Sequence, residues 1–532
     1  MGRMLRRHIA TPLAVVLLAG VLAGGAATAE PTTDPALSQL VQRLDSILTD
    51  SRLNGSFAAA VVRDAQTGET LYNRMGDKRL LPASNTKFLT STAAMEILGA
   101  DYRFTTDVLS PGQRAGSVLL GDVYLRGNGD PTSLAADYDK LAADIAAGGV
   151  KVVTGDLVAD DTYFDDVRLG TGWAADDEYS YYSQQASALT IAPDTDYDNG
   201  NVVVTVSPGA KAGDKPVVTV TPPTDYVKIV NNGSTVAAGG SDTLGVSREH
   251  GNNNIVIDGN IPVGGSNTVE WIAVWEPTGL AASVFRAALK AHGITVLGRT
   301  RLGVATPSSA SVLAAHQSMT LAQLMVPFLK LSNNGHAEAL TKAMGQKVSG
   351  KGTWPAGLAA IKSFVVSQGM DGSTFRQSDG SGLTRWDMIP AYELTDLLIA
   401  VRSKPWFGTW YDALPIAGNA DRFTGGTLRS RMRNTPAANN VHAKTGSLTG
   451  VSALSGYVTT ADGRQLVFSV IENNYLASSV KSLEDSIAIA LASWNSSAPA
   501  TARFAPSTVA PSSADDDAPA DLECSWLKPV LC

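Results

Sequence analysis

Cysteine is nearly absent from this chain of 532 residues, which contains only Cys524 and Cys532, both at its C-terminal end. The sequence therefore argues against a thiol nucleophile and against a structural zinc site in the body of the chain. The two cysteines could close a small loop in an oxidising compartment, and whether they pair stays open. Histidine is also sparse, and none of the six histidines has the spacing of a metal site. We expect no metal and no cofactor.

Charged residues are also few. They make up 17% of the chain, and the formal net charge is -8. No long basic run occurs beyond the N-terminus, so nucleic acid is not expected as a partner. Apolar residues make up 44%, which indicates a globular protein and not a disordered one. A chain of this length exceeds one ordinary hydrophobic core, so we expect two or three domains.

The N-terminal segment has the pattern of a signal peptide. Arg6 and Arg7 belong to a positive region, and an apolar stretch over about 13–22 follows it. That stretch is too short to span a bilayer comfortably, and the small residues at 27–29 offer a cleavage site. We therefore predict a signal peptide over 1–29 and an exported protein of the cell envelope or the medium. A retained N-terminal membrane anchor is the alternative.

The amino-acid composition changes along the chain. Short strand-like runs rich in Val, Thr, Gly, Asn and Asp fill residues 104–305, which predicts an inserted β-rich region. It is expected to hold two subdomains, with the inner one at about 190–270. The flanking segments 30–103 and 306–495 would form the main domain. The segment 496–532 is rich in Ala, Pro, Ser and Asp, and it predicts a disordered tail that carries the cysteine pair.

The flanking segments contain clear secondary-structure patterns. Residues 57–63 and 70–72 surround a polar turn and predict a β-hairpin. Residues 450–459 and 465–471 surround an Asp-Gly turn and predict two late strands. Apolar residues with helical spacing over 313–331 predict a helix that Pro327 could break or kink.

The first motif is Ser84-Asn85-Thr86-Lys87, an S-x-x-K at the start of an apolar helix. Helical spacing places Ser84 and Lys87 on one face. A serine hydroxyl needs a base to take its proton, and a desolvated lysine can be that base. S-x-x-K is a weak pattern alone, and a second copy at Ser478 comes too late in the chain to fit the order of the other motifs.

The second motif is Ser332-Asn333-Asn334, an S-x-N between two helical segments. It is the only S-x-N between Lys87 and Lys444. Taken alone, the tripeptide is equally well explained as a polar turn between helices.

The third motif is Lys444-Thr445-Gly446-Ser447, the only K-T-G in the chain, and it precedes a strand-rich stretch. Lys444 supplies a positive charge for an anionic group. Gly446 would let a substrate approach the backbone closely, and the two hydroxyls can bind a carboxylate. A β-turn at a strand end is the alternative explanation.

Together the motifs follow the order S-x-x-K, S-x-N, K-T-G, which is the signature of β-lactamases and penicillin-binding proteins. The chain further resembles the low-molecular-mass class C penicillin-binding proteins, the D-alanyl-D-alanine carboxypeptidase/endopeptidase family. The likeness runs from about 37 to 494, and a large insertion between the first two motifs is typical of that family. It rests on Leu81-Pro-Ala-Ser-Asn-Thr-Lys87, Lys330-Leu-Ser-Asn-Asn334, Asp379-Gly-Ser-Gly-Leu-Thr-Arg385 and His442-Ala-Lys-Thr-Gly-Ser447.

The resemblance implies an α/β (α+β) fold. Its core would be a transpeptidase-like or β-lactamase-like domain with an antiparallel sheet and flanking helices, built from both ends of the chain and interrupted by the β-rich insertion. Function has to follow from the site and not from the fold alone.

The resemblance also implies catalytic roles. Ser84 would attack the carbonyl of the penultimate D-Ala, and Lys87 would accept its proton. Ser332 would relay a proton to the departing amine with Lys444 nearby, and Asn334 would bind the substrate amide. The reaction would be that of a serine DD-peptidase on peptidoglycan stem peptides, and a β-lactam would acylate the same serine.

Substrate binding falls to other residues by the same resemblance. Thr445 and Ser447 would hold the terminal carboxylate, with Gly446 between them. Where the wall peptide carries a diaminopimelate side chain, Arg385 could pair with its carboxylate and Asp177 with its amine. An ordinary surface salt bridge is the alternative for both residues.

Two other functions compete with this interpretation. A β-lactamase shares the acylation machinery but needs a dedicated deacylating base, and no motif in the insertion marks one. A non-catalytic wall-binding protein could keep the fold, although the intact motifs argue against it. The sequence does not separate carboxypeptidase from endopeptidase, nor does it give the oligomeric state.

Overall fold

A computed structural model describes residues 34–496 of the chain. The predicted signal peptide over 1–29, the tail after 496 and the pair Cys524 and Cys532 lie outside the described residues. Between residues 34 and 496, no helix is long and apolar enough to cross a membrane.

A five-stranded antiparallel sheet joins the two ends of the described chain. Two strands come from the N-terminal part and three from the C-terminal part, and the two groups meet where Phe57–Asp64 pairs with Gln465–Asn473. The predicted hairpin and the two predicted late strands are all confirmed as members of this sheet. In spatial order the strands are Thr70–Arg74, Phe57–Asp64, Gln465–Asn473, Val451–Thr459 and His442–Leu448.

Both faces of this sheet are buried. Ala59 and Val61 of one strand face one apolar core, whereas Ala60 and Val62 face another. This explains why the strand reads as a continuous apolar run and not as an alternation. The core that contains Ala60 and Val62 is covered by two helices, Pro35–Ile47 and Lys481–Ser493. The helices on the opposite side are Lys87–Ile97, Leu321–Lys330, Asn334–Ser349, Trp354–Ser367, Ala391–Ala400 and Phe407–Asp412.

The prediction of one helix over 313–331 is wrong in its first part. Residues Ser311–Gln317 form a strand that pairs antiparallel with Thr105–Ser110. The helix begins at Leu321, after Thr320 and Gln323 close a capping box that satisfies free N–H groups at its start. The apolar residues of this strand happen to continue the helical spacing of the following segment. Pairing with Thr105–Ser110 makes the segment a strand instead.

Residues 105–317, which lie between the first and second motifs and are called the inserted region below, contain several small sheets. The first, of five strands, comprises Thr300–Leu302, Leu157–Asp160, Val123–Gly127, Thr105–Ser110 and Ser311–Gln317; a four-stranded one comprises Thr295–Val296, Val152–Val153, Val118–Leu120 and Gln113–Ala115. The inner sheets comprise Val217–Thr221, Asn201–Ser207 and Thr268–Ala273, then Lys228–Asn231, Asn254–Asp258 and Gly245–Arg248, then Ser234–Val236 and Asn260–Pro262.

Two helices also belong to this inserted region, Ala135–Ala147 and Pro277–Ala291. They pack together over one apolar core, in which Tyr138 and Phe285 have ring centroids 6.4 Å apart. The strand-rich composition did not indicate these helices. The domain boundaries predicted from the sequence stay a prediction.

Candidate active site

The S-x-x-K motif lies at the junction of a tight turn and a helix. Ser84 belongs to the turn Ala83–Thr86, and Lys87 is the first residue of the helix Lys87–Ile97. The side chains of both are buried, and Lys87 Nζ donates to Ser84 Oγ at 2.8 Å. Ala83 has a positive φ of 47°, which is unusual for a residue with a Cβ. The turn therefore holds Ser84 in a strained position directly against its lysine.

Lys87 has two further oxygen partners from distant parts of the chain. Its Nζ donates to Asn334 Oδ1 at 2.7 Å and to the carbonyl of Ser381 at 2.8 Å. An ammonium group has three hydrogens, and these oxygens together with Ser84 Oγ supply three acceptors. The amine is thus held by the S-x-N motif on one side and by the Asp379–Arg385 segment on the other.

The S-x-N motif lies between the helices Leu321–Lys330 and Asn334–Ser349. Ser332 is fully buried and has a positive φ of 60°, so the bend between the helices is itself strained. Lys444 Nζ donates to Ser332 Oγ at 2.8 Å. The site therefore contains a second serine–lysine pair beside Ser84 and Lys87.

The K-T-G motif lies on the edge strand His442–Leu448. Lys444 is fully buried, and Thr445 Oγ1 donates to Thr427 Oγ1 at 2.8 Å. Gly446 packs against the turn of Ser84: a Cβ at this position would lie 2.8 Å from the Pro82 carbonyl and 3.1 Å from the Ser84 nitrogen. Glycine is required here because strand and turn approach too closely for a side chain.

Two residues of the second motif are braced by the inserted region. Asn334 Nδ2 donates to the Tyr182 carbonyl at 2.8 Å. Asn333 caps its helix by accepting from the His336 N–H, and its Nδ2 donates to Asp198 Oδ1 at 2.9 Å and to the Tyr197 carbonyl at 3.0 Å.

Asp198 belongs to an acidic group with Asp194 and Asp196, whose carboxylate oxygens lie within 4.8 Å of one another. Asp194 accepts from the Trp271 indole, Asp196 accepts from Arg422, and Asp198 accepts from Asn333 and thereby braces the motif. The expectation of no metal stays a prediction.

The two residues expected to bind a substrate side chain lie near each other. Arg385 is exposed, and its Nη1 donates to the carbonyl of Thr449, directly after the K-T-G strand. Asp177 lies in the turn Ala175–Asp177 and accepts from the Tyr182 hydroxyl at 2.9 Å. Burial raises the pKa of Asp177, while the Tyr182 hydroxyl and, more weakly, the charge of Arg385 oppose that rise.

Several buried acids around the Asp379–Arg385 segment had no role in the sequence interpretation. Asp379 accepts from Gly382 N, Thr384 N and the Trp173 indole at 2.7 to 2.9 Å. Asp387 accepts from the Thr86 hydroxyl at 2.8 Å, and burial followed by the nearby charge of Asp379 raises its pKa.

Glu338 is the third of these acids. It lies one helical turn after Asn334, and that spacing is the one sequence signal that could have pointed to it.

Comparison with known proteins places the chain in a family. The model of the D-Ala-D-Ala carboxypeptidase 3 (S13) family matches residues 40–496. The D-alanyl-D-alanine carboxypeptidase of Actinomadura sp. (strain R39) is 42% identical over 99% of this chain and 97% of that protein. The D-alanyl-D-alanine carboxypeptidase DacB of Haemophilus influenzae is 26% identical over 82% of this chain and 89% of that protein.

A solved structure gives the fold independently. The crystal structure of penicillin binding protein 4 from Haemophilus influenzae superposes with a TM-score of 0.72 at 25% identity. The match covers 85% of this chain and 97% of that one. It confirms the transpeptidase-like fold that the resemblance implied.

Proposed function

Because the chain belongs to the D-Ala-D-Ala carboxypeptidase 3 (S13) family, it is a serine-type DD-peptidase, as its motifs predict, and we propose that Ser84 is its nucleophile. It is accordingly a low-molecular-mass class C penicillin-binding protein. The observation that carries the proposal is the buried hydrogen bond of 2.8 Å between Lys87 Nζ and Ser84 Oγ.

In acylation, Lys87 acts in its neutral form: its two N–H groups stay on Asn334 Oδ1 and the Ser381 carbonyl, and its lone pair takes the hydroxyl proton as Ser84 Oγ attacks the carbonyl of the penultimate D-Ala. The C–N bond to the terminal D-Ala breaks, and the acyl group stays on Ser84. Water then hydrolyses the ester and restores the serine. A β-lactam acylates Ser84 in the same way, but its ring-opened acyl group leaves slowly.

The departing amine needs a proton, and Ser332 is the proposed relay. Its hydroxyl lies 2.8 Å from Lys444 Nζ, so a proton given to the amine is replaced from that side. The second N–H of the Asn334 amide, beyond the one that binds Tyr182, is assigned to the substrate amide.

The oxyanion of the tetrahedral intermediate is assigned to the backbone N–H groups of Ser84 and Ser447. The close packing of Gly446 on the Ser84 turn supports this role because it brings the two backbones together. Such preorganised donors commonly contribute about 3–4 kcal/mol to transition-state stabilisation. Thr445 and Ser447 hydroxyls are assigned to the terminal carboxylate.

The proposed substrates are peptidoglycan stem peptides. Arg385 lies close enough to Asp177 for its charge to lower the pKa of that carboxyl against the rise caused by burial, and together they offer one positive and one negative group. This pair suits a diaminopimelate side chain, whose carboxylate would face Arg385 and whose amine would face Asp177. Because the wall lies outside the cytoplasm, the proposed substrate also requires export through the 1–29 segment.

Labelling with a fluorescent penicillin tests the nucleophile. Purified mature protein is expected to form a stable adduct that peptide mapping locates on Ser84, and Ser84→Ala abolishes it. Ser478→Ala, in the second S-x-x-K, is the matched control and retains the adduct. An adduct that persists in Ser84→Ala would refute the assignment, and rapid turnover of a chromogenic cephalosporin would favour a β-lactamase. Release of D-Ala from pentapeptides, compared with cleavage of cross-linked dimers, separates carboxypeptidase from endopeptidase activity.

A further inference from the structure

A buried carboxylate lies one helical turn beyond the Asn334 side chain. Glu338 is 1% exposed and lies on the same helix, Asn334–Ser349, at the i+4 position. Side chains with this spacing share a helix face. Asn334 contacts the Lys87 amine directly, so Glu338 points toward the same side of the site from one turn further along.

Glu338 reaches Lys87 through the backbone of one residue in the neighbouring segment, Ser381. Its Oε2 accepts from the Gly380 N–H at 2.8 Å, and its Oε1 accepts from the Ser381 N–H at 2.9 Å. The carbonyl of Ser381 in turn accepts from Lys87 Nζ at 2.8 Å. A third donor, the Trp354 indole, bonds Oε2 at 2.7 Å and fixes the rotation of the carboxylate.

The backbone of Gly380 and Ser381, which Glu338 binds, is confined on both sides. A Cβ on Gly380 would lie 2.6 Å from the Ala337 carbonyl, so this residue presses on the Glu338 helix. Gly382 has a φ of +83°, and its Cβ would lie 1.9 Å from the Ala83 carbonyl, next to the nucleophile. The segment Gly380–Gly382 is thus packed tightly between the helix Asn334–Ser349 and the turn that carries Ser84. A shift of its backbone would displace both.

The electrostatic surroundings of Glu338 indicate that it does more than stabilise the fold. Burial, and next the charge of Asp379, raise the pKa of Glu338 to about 7. Asp387 adds a third buried acid, and the nearby cation Lys342 is already paired with Asp165 at 2.6 Å. Buried charges are weak evidence for stability, so their concentration beside the reacting groups points to function.

We propose that Glu338 is a positioning residue: its carboxylate fixes the backbone of Gly380 and Ser381 so that the Ser381 carbonyl holds the Lys87 amine against Ser84. This inference rests on the proposed roles of Ser84 and Lys87. Glu338 takes no part in bond making, and it acts on the rate of acylation through the geometry of the base.

The test is Glu338→Gln at pH 8, above the pKa of about 7, where the wild-type side chain is an ionised carboxylate. The substitution keeps the size of the side chain but turns one acceptor into a donor that faces a backbone N–H. Stopped-flow acylation by benzylpenicillin yields the limiting acylation rate and the dissociation constant of the complex before acylation. We expect the limiting rate to fall about 10- to 100-fold, as for small misplacements of catalytic groups, with the dissociation constant changed less than three-fold. A merely structural residue would lower the melting temperature and leave the limiting rate of the folded protein unchanged.

Glu393→Gln is the matched control because Glu393 also accepts from a loop N–H, that of Asp371, at 2.9 Å. It is expected to acylate at the wild-type rate. If Glu338→Gln does not fold, Trp354→Phe takes its place, since it frees the carboxylate to rotate, and a two- to ten-fold slower acylation is expected. A limiting rate within two-fold of wild type in the folded variant would overturn the inference. A wild-type protein that penicillin does not acylate would instead refute the proposed function.

Discussion

Replacement of Gly446 by alanine tests the contact between the K-T-G strand and the Ser84 turn. The new Cβ would lie 2.8 Å from the Pro82 carbonyl oxygen and 3.1 Å from the Ala83 Cβ. Unstrained contacts of this kind need about 3.5 Å or more, so strand and turn must separate by roughly 0.5–1 Å. That separation widens the gap between the N–H groups of Ser84 and Ser447, which are the proposed oxyanion donors.

A displacement of about 1 Å in a catalytic group can cost about 100-fold in rate. We therefore expect Gly446→Ala to lower the limiting rate of penicillin acylation by about 10- to 100-fold. Overpacking of a close contact typically costs about 1–3 kcal/mol of unfolding free energy, so the protein should stay folded. Stopped-flow acylation and urea unfolding measure the two quantities on the same sample.

Gly408→Ala is the control for the loss of a glycine as such. A Cβ at Gly408, in the helix Phe407–Asp412, would find nothing within 4 Å. Alanine is a better helix former than glycine by about 0.5–1 kcal/mol, so this variant should be slightly stabilised and fully active. If Gly446→Ala acylates as fast as Gly408→Ala, the close approach of strand and turn does not set the geometry of the site.

Three further outcomes are expected. Lys444→Met should reduce D-Ala release from pentapeptides at least about 100-fold, because Ser332 loses its proton source; an unchanged rate would contradict the relay. Arg385→Ala and Asp177→Asn should each lower kcat/KM about ten-fold for diaminopimelate peptides and leave simple acyl-D-Ala-D-Ala substrates unaffected, and equal losses on both would refute the pairing. Folded Glu338 keeps its proton up to about pH 7, whereas the unfolded chain releases it near pH 4.5. The unfolding free energy of the wild type should therefore fall with rising pH, relative to that of Glu338→Gln, by up to about 3 kcal/mol. Urea unfolding between pH 4 and 8 measures this difference.

The catalytic motifs were predictable because their spacing has local physical meaning. Ser84 and Lys87 meet because helical residues three apart share a face, and the structure places their side-chain atoms 2.8 Å apart. Ser332 and Lys444 are 112 residues apart, and nothing local brings them together. Their pairing could be anticipated only from the order of the three motifs.

The acids beneath the site were not predictable in the same way. Glu338, Asp379 and Asp387 look like ordinary surface carboxylates in the sequence, since charged residues are rarely fully buried. Their burial results from the packing of the Asp379–Arg385 segment on a helix that begins at Asn334. That contact is tertiary, and no pattern within either segment encodes it.

Long-range pairing also explains the errors in secondary structure. The strand Ser311–Gln317 was interpreted as helix because its partner, Thr105–Ser110, lies about 200 residues away. The helices Ala135–Ala147 and Pro277–Ala291 were missed because the strand-rich residues around them dominated the composition. Local propensity gives way where a distant strand supplies the backbone hydrogen-bond partners, as Thr105–Ser110 does for Ser311–Gln317.

The inserted region contacts the second motif directly and is not an appendage. The Asn334 amide could present either its oxygen or its NH2 group to Lys87, and a protonated amine cannot donate to NH2. The Tyr182 carbonyl accepts from Nδ2 at 2.8 Å, and a carbonyl cannot accept from an oxygen, so this contact enforces the orientation with Oδ1 on the Lys87 amine. The Tyr197 carbonyl makes a second backbone contact with the motif, since it accepts a hydrogen bond from Asn333. Removal of the region would therefore take away the Tyr182 acceptor of the Asn334 NH2 group, even if the five-stranded sheet and its helices stayed folded.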